Sequence, residues 1–228
     1  MFAYQLKKST RRKTVAIKVH NQNVTVYAPH HVQKKVLDNW LLEKKSWVEA
    51  QLQKQLTLVD TKQYPLKDKK IWVFSEAINL TFQQGNTSTV ERQQDSQLII
   101  VSARVKHQQQ KYQLLLEAYL KEQLTAYIEM RLNDFCTLMQ EALPNDLNIA
   151  VYKRKWGSCN SKRALTFNLL LIGAPHSIID YVIVHELAHL RHLNHSKAFW
   201  QRVAQFCPDY KASTLWLKQH GMSLQWVF

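Results

Sequence analysis

The sequence lacks the long apolar runs, the signal-like leader and the paired cysteines that would assign it to a membrane or to an oxidising compartment. Its most apolar stretch, LLLIGAP, stops at Pro175, far short of the roughly 18 uninterrupted apolar residues that a spanning helix needs. No membrane span is expected. The opening segment MFAYQLKKSTRRK has no apolar core of a secretory signal. Cys136, Cys159 and Cys207 are odd in number and show no paired spacing. A reduced, cytoplasmic protein is therefore the expectation. No internal repeat or low-complexity tract is visible.

Acidic side chains are also scarce. Lys and Arg number 31 against 17 Asp and Glu, a formal net charge of +14, which favours anionic partners such as a nucleotide or nucleic acid. A well-solvated basic surface would give the same composition. Two clusters, Lys7 to Arg12 and Lys153 to Lys155 with Lys162 and Arg163, have the density to track phosphates on an elongated anionic ligand. With 228 residues, 46% of them hydrophobic, the chain can bury a real core as one large domain or two small ones.

Hydrophobic spacing outlines the elements. Residues 14–28 alternate apolar and polar positions around Asn21-Gln22-Asn23, predicting a hairpin. Between residues 32 and 56, Val36, Trp40, Trp47 and Leu52 recur at helix-like intervals, predicting one or two amphipathic helices. Strand character returns in KIWVFSE, INLTFQQ and QLIIVSA, with Gly85-Asn86 as a turn between two of them. A long helix is expected from about Gln109 to Leu143, because Leu116, Leu120, Leu124, Ile128, Leu132 and Phe135 recur every three or four residues until Pro144. The remainder reads as strand (LNIAVYKRKW), turn (GSCNSK), strand (RALTFNLLLI), then helices from about Ser177, Ser196 and Lys211.

Four of the ten histidines fall in one eleven-residue stretch, HELAHLRHLNH, from His185 to His195. On a helix each residue advances about 100°, so His185 and His189 lie roughly 40° apart and one turn displaced. Both rings can meet one ion, with Glu186 beside them. In a His-Glu-x-x-His array two neutral imidazoles bind Zn²⁺ and the neighbouring carboxylate takes a proton from the water that the ion activates. The surrounding YVIVHELAHL is apolar nearly all round, and a buried helix carries three such polar groups only with compensation, which a metal supplies. Core histidines satisfied by hydrogen bonds are the plainer reading, and three polar groups converging on one apolar helix weigh against it.

A catalytic zinc needs a third protein ligand and an open position. No Glu follows Glu186, and Asp209 is the only later acid, so a third histidine is expected. His192 projects about 20° from His185 but lies roughly 10 Å along the axis. His195 has the better claim, ten residues after His185, the spacing of the class whose chain turns back to deliver its last imidazole. That class has Gly where this chain has His192; Asn194 is the neighbour best able to take a left-handed conformation for the turn, and Ser196 can cap the next helix.

The stretch RKWGSCNSKRALTFNLLLIGAPHSIIDYVIVHELAHLRHLNHSKAFW resembles the intracellular zincin-like family once called domain of unknown function 45, the YgjP-like metallopeptidases, to which the SprT and WLM proteins are related. The resemblance extends to RRKTVAIKVHNQNVTVYAP and WLLEKKSWVEAQL and so covers nearly the whole chain. Its most specific parts are WGSC, HELAHL and NHSKAFW. It implies His185, His189 and His195 as ligands of one Zn²⁺ and Glu186 as general base. It also makes the strand of Trp156, Gly157, Ser158 and Cys159 the edge along a zincin cleft where a peptide adds as a further strand, with Gly157 allowing close backbone approach. A packed Trp beside a structural turn is the plainer account of WGSC. Cys159 has a lesser claim as a fourth ligand, Phe199 and Trp200 are expected to pack behind the metal, and Asp180 to act as a helix-start charge.

The expected fold is α+β: a β-rich N-terminal region with one or two amphipathic helices (residues 1–105), then a zincin-like domain (residues 106–228) with a long linking helix, a short antiparallel sheet and an active-site helix. The expected function is a zinc-dependent metallopeptidase acting on a peptide or protein substrate, itself anionic or associated with nucleic acid. Arg154, Trp156, Gly157, Ser158 and Tyr210 are candidate substrate-binding residues. Arg154, Tyr210 and His220 are candidate oxyanion donors. Two alternatives stay open: a metal-dependent nucleoside triphosphate pyrophosphatase on the same scaffold, and a non-catalytic nucleic-acid-binding module in which the metal is a brace and Trp and Tyr stack bases.

Overall fold

The computed structural model describes residues 2–20, 23–57, 62–93 and 96–228. The chain divides into two compact units, Met1–Thr61 and Lys62–Phe228. Within the second unit Ile71, Leu80 and Ile99 share one buried cluster with Leu116, Leu120 and Leu187. No helix among the described residues is long and apolar enough to cross a membrane.

The first unit contains β1 (Gln5–Ser9), β2 (Ala16–His20), β3 (Asn23–Pro29), α1 (Lys34–Glu43) and α2 (Lys45–Thr57). β2 and β3 pair antiparallel as the alternation predicts; the expected turn at Asn21-Gln22 lies outside the described residues. β1, parallel to β3 on its other side, carries no apolar alternation because it is an edge strand exposed along most of its length. Val26 and Ala28 of β3 pack on Leu37 and Leu41 of α1. The buried stripe is Leu37, Leu41 and Val48, whereas Val36 and Trp47, expected inward, are 60% and 47% exposed. The helix breaks at Lys44, so a single register does not run through both halves.

The second unit opens with the short α3 (Pro65–Asp68) and a four-stranded sheet of β4 (Lys70–Val73), β5 (Glu76–Gly85), β6 (Thr89–Arg92) and β7 (Ser96–Ser102), ordered β4-β5-β7-β6. KIWVFSE is not one strand: Phe74 and Ser75 turn between β4 and β5 with φ of 49° and 68°. No Gly or Asn marks this turn. The Phe74 ring is held instead between His176 and Tyr127, with centroids 4.6 and 5.3 Å away. Gly85-Asn86 leads into β6, which the sequence reading missed, and β5 and β7 are parallel neighbours and not a hairpin.

α4 (Gln108–Met139) lays Leu116, Leu120, Leu124, Ile128, Leu132 and Phe135 into the core. It ends before Pro144 because Gln140 takes the left-handed conformation, φ 53°. β8 (Asp146–Ala150), β9 (Gly157–Cys159) and β10 (Ala164–Asn168) follow. Their sheet, ordered β8-β10-β9, is mixed and not purely antiparallel: β8 runs parallel to β10 and β9 antiparallel to it. Gly157–Cys159, a turn by local pattern and an edge strand by the resemblance, is strand, and the turn falls at residues 160–163, where Asn160 Oδ1 accepts from Lys162 N and Ala164 N and Arg163 has φ 60°. After β10 the chain forms a 3-10 helix, Leu169–Gly173, in place of continued strand. The remaining helices are α5 (His176–Ala188), α6 (Lys197–Phe206) and α7 (Tyr210–His220).

Two polar devices fix the placement of α5 and β9. Asp180 of α5, expected only as a helix-start charge, accepts from Tyr127 Oη at 2.8 Å and from Arg131 Nε and Nη2 at 3.0 and 2.9 Å, locking α5 to α4. Buried Asn168 donates from Nδ2 to Tyr152 O and Lys155 O, both at 2.9 Å, and accepts on Oδ1 from Tyr152 N and Leu170 N. One amide thereby closes the loop that precedes β9 and starts the 3-10 helix. Asn168→Ala removes the partner of buried Leu170 N and of the part-buried groups of Tyr152 and Lys155, which costs about 2 kcal/mol. Thermal and denaturant unfolding should show that loss; a change below about 1 kcal/mol would mean that the loop holds itself.

Candidate metal centre

α5 is apolar on almost every face, with Ile178, Ile179, Tyr181, Val182, Ile183, Val184, Leu187 and Ala188 buried. Its last turn carries His185 and Glu186, and His189 is its C-terminal cap. The chain then winds tightly back, Arg191 N and His192 N both donating to Ala188 O. Asn194 does not take the left-handed conformation expected of it; it is not among the residues of positive φ. The turn is built from ordinary backbone, fastened by His189 Nδ1 donating to His192 O at 2.9 Å. Ser196 then caps α6 through Oγ, which accepts from Phe199 N.

This return brings His195 to His185 and His189. One ligand nitrogen from each ring lies within 4.8 Å of the other two, and His185 Nε2 and His195 Nε2 are 3.1 Å apart. His192 contributes its carbonyl to the turn and is not in the group. Imidazole nitrogens sharing one tetrahedral zinc lie roughly 3.3 Å apart, given bonds of about 2.0–2.1 Å. The 3.1 Å pair matches that spacing, and the three histidines together could hold a metal ion.

Electrostatics point the same way. Burial, with the neighbouring His189 and His195, pushes the His185 ring down to about 3. Burial also lowers His189, which the bond to His192 O partly offsets. Neutral rings are what a metal requires, and with His189 Nδ1 committed to a carbonyl its Nε2 is left to face the centre. His185 Nδ1 is buried without a partner, while its Nε2 faces His195 Nε2, the side on which the three rings could hold a metal ion.

Glu186 is 5% exposed. Burial pushes its carboxyl up to about 7, with Lys155 pulling the other way. Lys155 donates to Ser158 Oγ at 3.0 Å and lies 4.2 Å over the Tyr152 ring. Sequence reasoning placed Lys155 only in a basic cluster. The glycine of β9 also makes room for the carboxylate: a Cβ on Gly157 would lie 2.5 Å from Glu186 Oε1 and 2.7 Å from its Cγ. Only a glycine lets β9 pass this close to the carboxylate.

A cavity of about 340 Å³ is lined by Gly157, Ser158, Cys159, Glu186, Leu193 and the three histidines. Leu193, which the sequence did not single out, is 87% exposed. Cys159 lines the cavity but stands outside the ligand group, its thiol pushed up by burial and then by Glu186. Arg154 is exposed, and neither it nor Trp156, Tyr210 or His220 lines the cavity. Trp156 reaches toward Gly221, and His220 lies against Trp216. Tyr210 stacks on Trp200 at 5.2 Å, and Trp200 on His195 at 5.6 Å. Behind the rings buried Phe199 lies 4.9, 4.5 and 4.8 Å from His185, His189 and His195.

The returning loop has an anchor that no motif announced. Glu141, just past α4, takes Arg202 of α6 at 2.6 Å and Arg191 of the loop at a short contact. Both arginines also donate to carbonyls at the end of α4, Arg202 to Met139 O and Arg191 to Gln140 O. The Glu141 side chain is 7% exposed, so this pairing is largely screened from water.

Comparison with known proteins bears on the same region. A family model described as YgjP-like, metallopeptidase domain, matches residues 13–220. The chain is 32% identical over 77 residues to a UTP pyrophosphatase of Escherichia coli (strain K12), a match covering 32% of this chain and 46% of that protein. The chain thus spans about half the length of this curated relative. A solved structure, the metallopeptidase zymogen of Pyrococcus abyssi abylysin, aligns with a TM-score of 0.38 and 19% identity over 44% of this chain and 99% of that one.

His185 and Glu186 titrate with opposite effect on stability. His185, at about 3 folded against an ordinary 6.5, binds fewer protons than the unfolded chain between those values, so stability falls as pH drops through that window. Glu186, at about 7 against 4.5, binds more, so stability falls as pH rises from 4.5 to 7. In metal-stripped protein, Glu186→Gln should therefore gain stability relative to the parent as pH rises from 4.5 to 7, read as a widening Tm difference. A constant difference across that range would show that the carboxyl is not held in a desolvated site.

Proposed function

The chain belongs to the YgjP-like metallopeptidase family, and on that premise we propose that it is a zinc-dependent peptidase, with His185, His189 and His195 holding one ion and Glu186 as the general base. Bound there, zinc would polarise the scissile carbonyl and bring the pKa of a water down to about 7. Glu186 takes a proton from the water that attacks the carbonyl carbon; as the C–N bond breaks, its carboxyl returns that proton to the leaving nitrogen. Its raised affinity for a proton suits both halves of the transfer. His189, fixed through Nδ1, and His195, stacked on Trp200, keep their rings aimed at the centre.

The observation that carries a peptide over an anionic substrate is the lining of the cavity: among the described residues it has no Lys or Arg, and it has an exposed Leu193 and Gly157 and Ser158 of an edge strand. An unpaired strand edge accepts an extended peptide by main-chain hydrogen bonds. On this reading Gly157 and Ser158 contact substrate directly. Arg154, Trp156 and Tyr210 then act from behind or beyond the cavity wall. A cytoplasmic setting is part of the proposal.

A second reading, phosphoanhydride hydrolysis, draws on the name of the Escherichia coli relative and on Lys155, the cation close enough to act on Glu186. Assay of zinc-loaded protein on casein and on UTP separates the two. Peptide cleavage should be abolished by chelator and restored by zinc. Glu186→Gln should retain one zinc per chain and lose turnover about 100-fold or more. Turnover on UTP alone would transfer the site to the second reading, and undiminished turnover in Glu186→Gln would remove the base assignment.

A further inference from the structure

The first unit carries a surface that the hydrolytic site does not use. Residues 1–37 contain eight Lys and Arg and no Asp or Glu; the first acid is Asp38. Strand register sorts this charge between two faces. Directly paired residues share a face, so Leu6, Ile17, Val24, Val26 and Ala28 belong to the side on which α1 packs. Lys8 is on that side too, donating to Val32 O at 3.0 Å. The opposite face presents two cross-strand rows, Gln5–Thr25–Lys18 and Lys7–Tyr27–Ala16. Lys7 and Lys18 are exposed and stand on the two outer strands, roughly 10 Å apart across the sheet at about 4.8 Å per strand. Between them the Arg12 guanidinium lies over the Tyr27 ring, 4.7 Å from its centroid.

We infer that this open sheet face is a docking surface for single-stranded nucleic acid. Among the described residues no ion pair engages Lys7, Arg12 or Lys18, so they are available to phosphates. Arg12 is pinned on an aromatic ring, which leaves its planar fork free for a phosphate and its surface available to stack a base. The two rows carry neither the apolar anchors by which a membrane is held nor the cluster of large buried side chains that dominates protein interfaces. Lys34 and Lys35, equally charged but on α1, lie outside it. The inference stands apart from the metal centre and does not require the hydrolase reading.

The test is fluorescence anisotropy of a labelled single-stranded oligonucleotide of about 12 nucleotides, titrated with the full chain at several salt concentrations. Three cations on phosphates give a slope of about −2 in log K against log salt, at roughly −0.7 per contact. Lys7→Glu with Lys18→Glu should weaken binding about tenfold or more, and Lys34→Glu with Lys35→Glu, the same change in net charge, less than about threefold. Arg12→Ala, which leaves the strands untouched, should by itself weaken binding and reduce the slope by about 0.7. Equal loss in both lysine pairs, absence of binding at low salt, or tighter binding of poly-glutamate or of phosphatidylserine vesicles would each overturn the assignment.

Discussion

Everything at the candidate centre depends on bringing three imidazoles within a few ångströms of one another, beside a carboxylate that water barely reaches. Like-charged rings at that spacing would repel, and burial holds His185 and His189 toward the neutral form that offers a lone pair. A cation at the point where the rings converge would take up those lone pairs. The surrounding packing follows from that requirement. Phe199 sits against all three rings, Trp200 and Tyr210 stack outward from His195, and Gly157 exists so that β9 can approach the carboxylate.

The geometry is imposed from a distance by three polar fixtures. Asp180 holds α5 to α4, Asn168 holds the loop before β9, and Glu141 holds both ends of the segment that returns from α5 into α6. Each ties an element bearing a site residue to one that bears none. The ligands themselves can then lie on a helix terminus and a loop, where backbone alone would give little rigidity.

Much of this was legible in the sequence because it is periodic or locally spaced. The leucine ladder of α4 and the helix of His185 follow from spacing over many residues. The grouping of His195 follows from chain length, a helical turn and the lack of a later glutamate. What escaped was set by contacts distant along the chain. Glu141 and Arg191 meet across fifty residues of sequence, and Asn168 reads as one more residue in an apolar strand. The Phe74-Ser75 turn carries none of the residues that usually permit positive φ and is held by rings from α4 and α5. β1 was missed because edge strands need not alternate, and Asn194 was assigned a conformation that a hydrogen bond from His189 makes unnecessary. The closeness of Gly157 to Glu186 is likewise a contact between residues distant along the chain.

The central claim, that three named imidazoles converge on one ion, is tested most directly by X-ray absorption on zinc-loaded protein together with metal content of two variants. The account predicts one zinc per chain with three imidazole nitrogens at about 2.0–2.1 Å, lost or reduced to two in His195→Ala and unchanged in His192→Ala. Metal retained with full coordination in His195→Ala but lost in His192→Ala would contradict it.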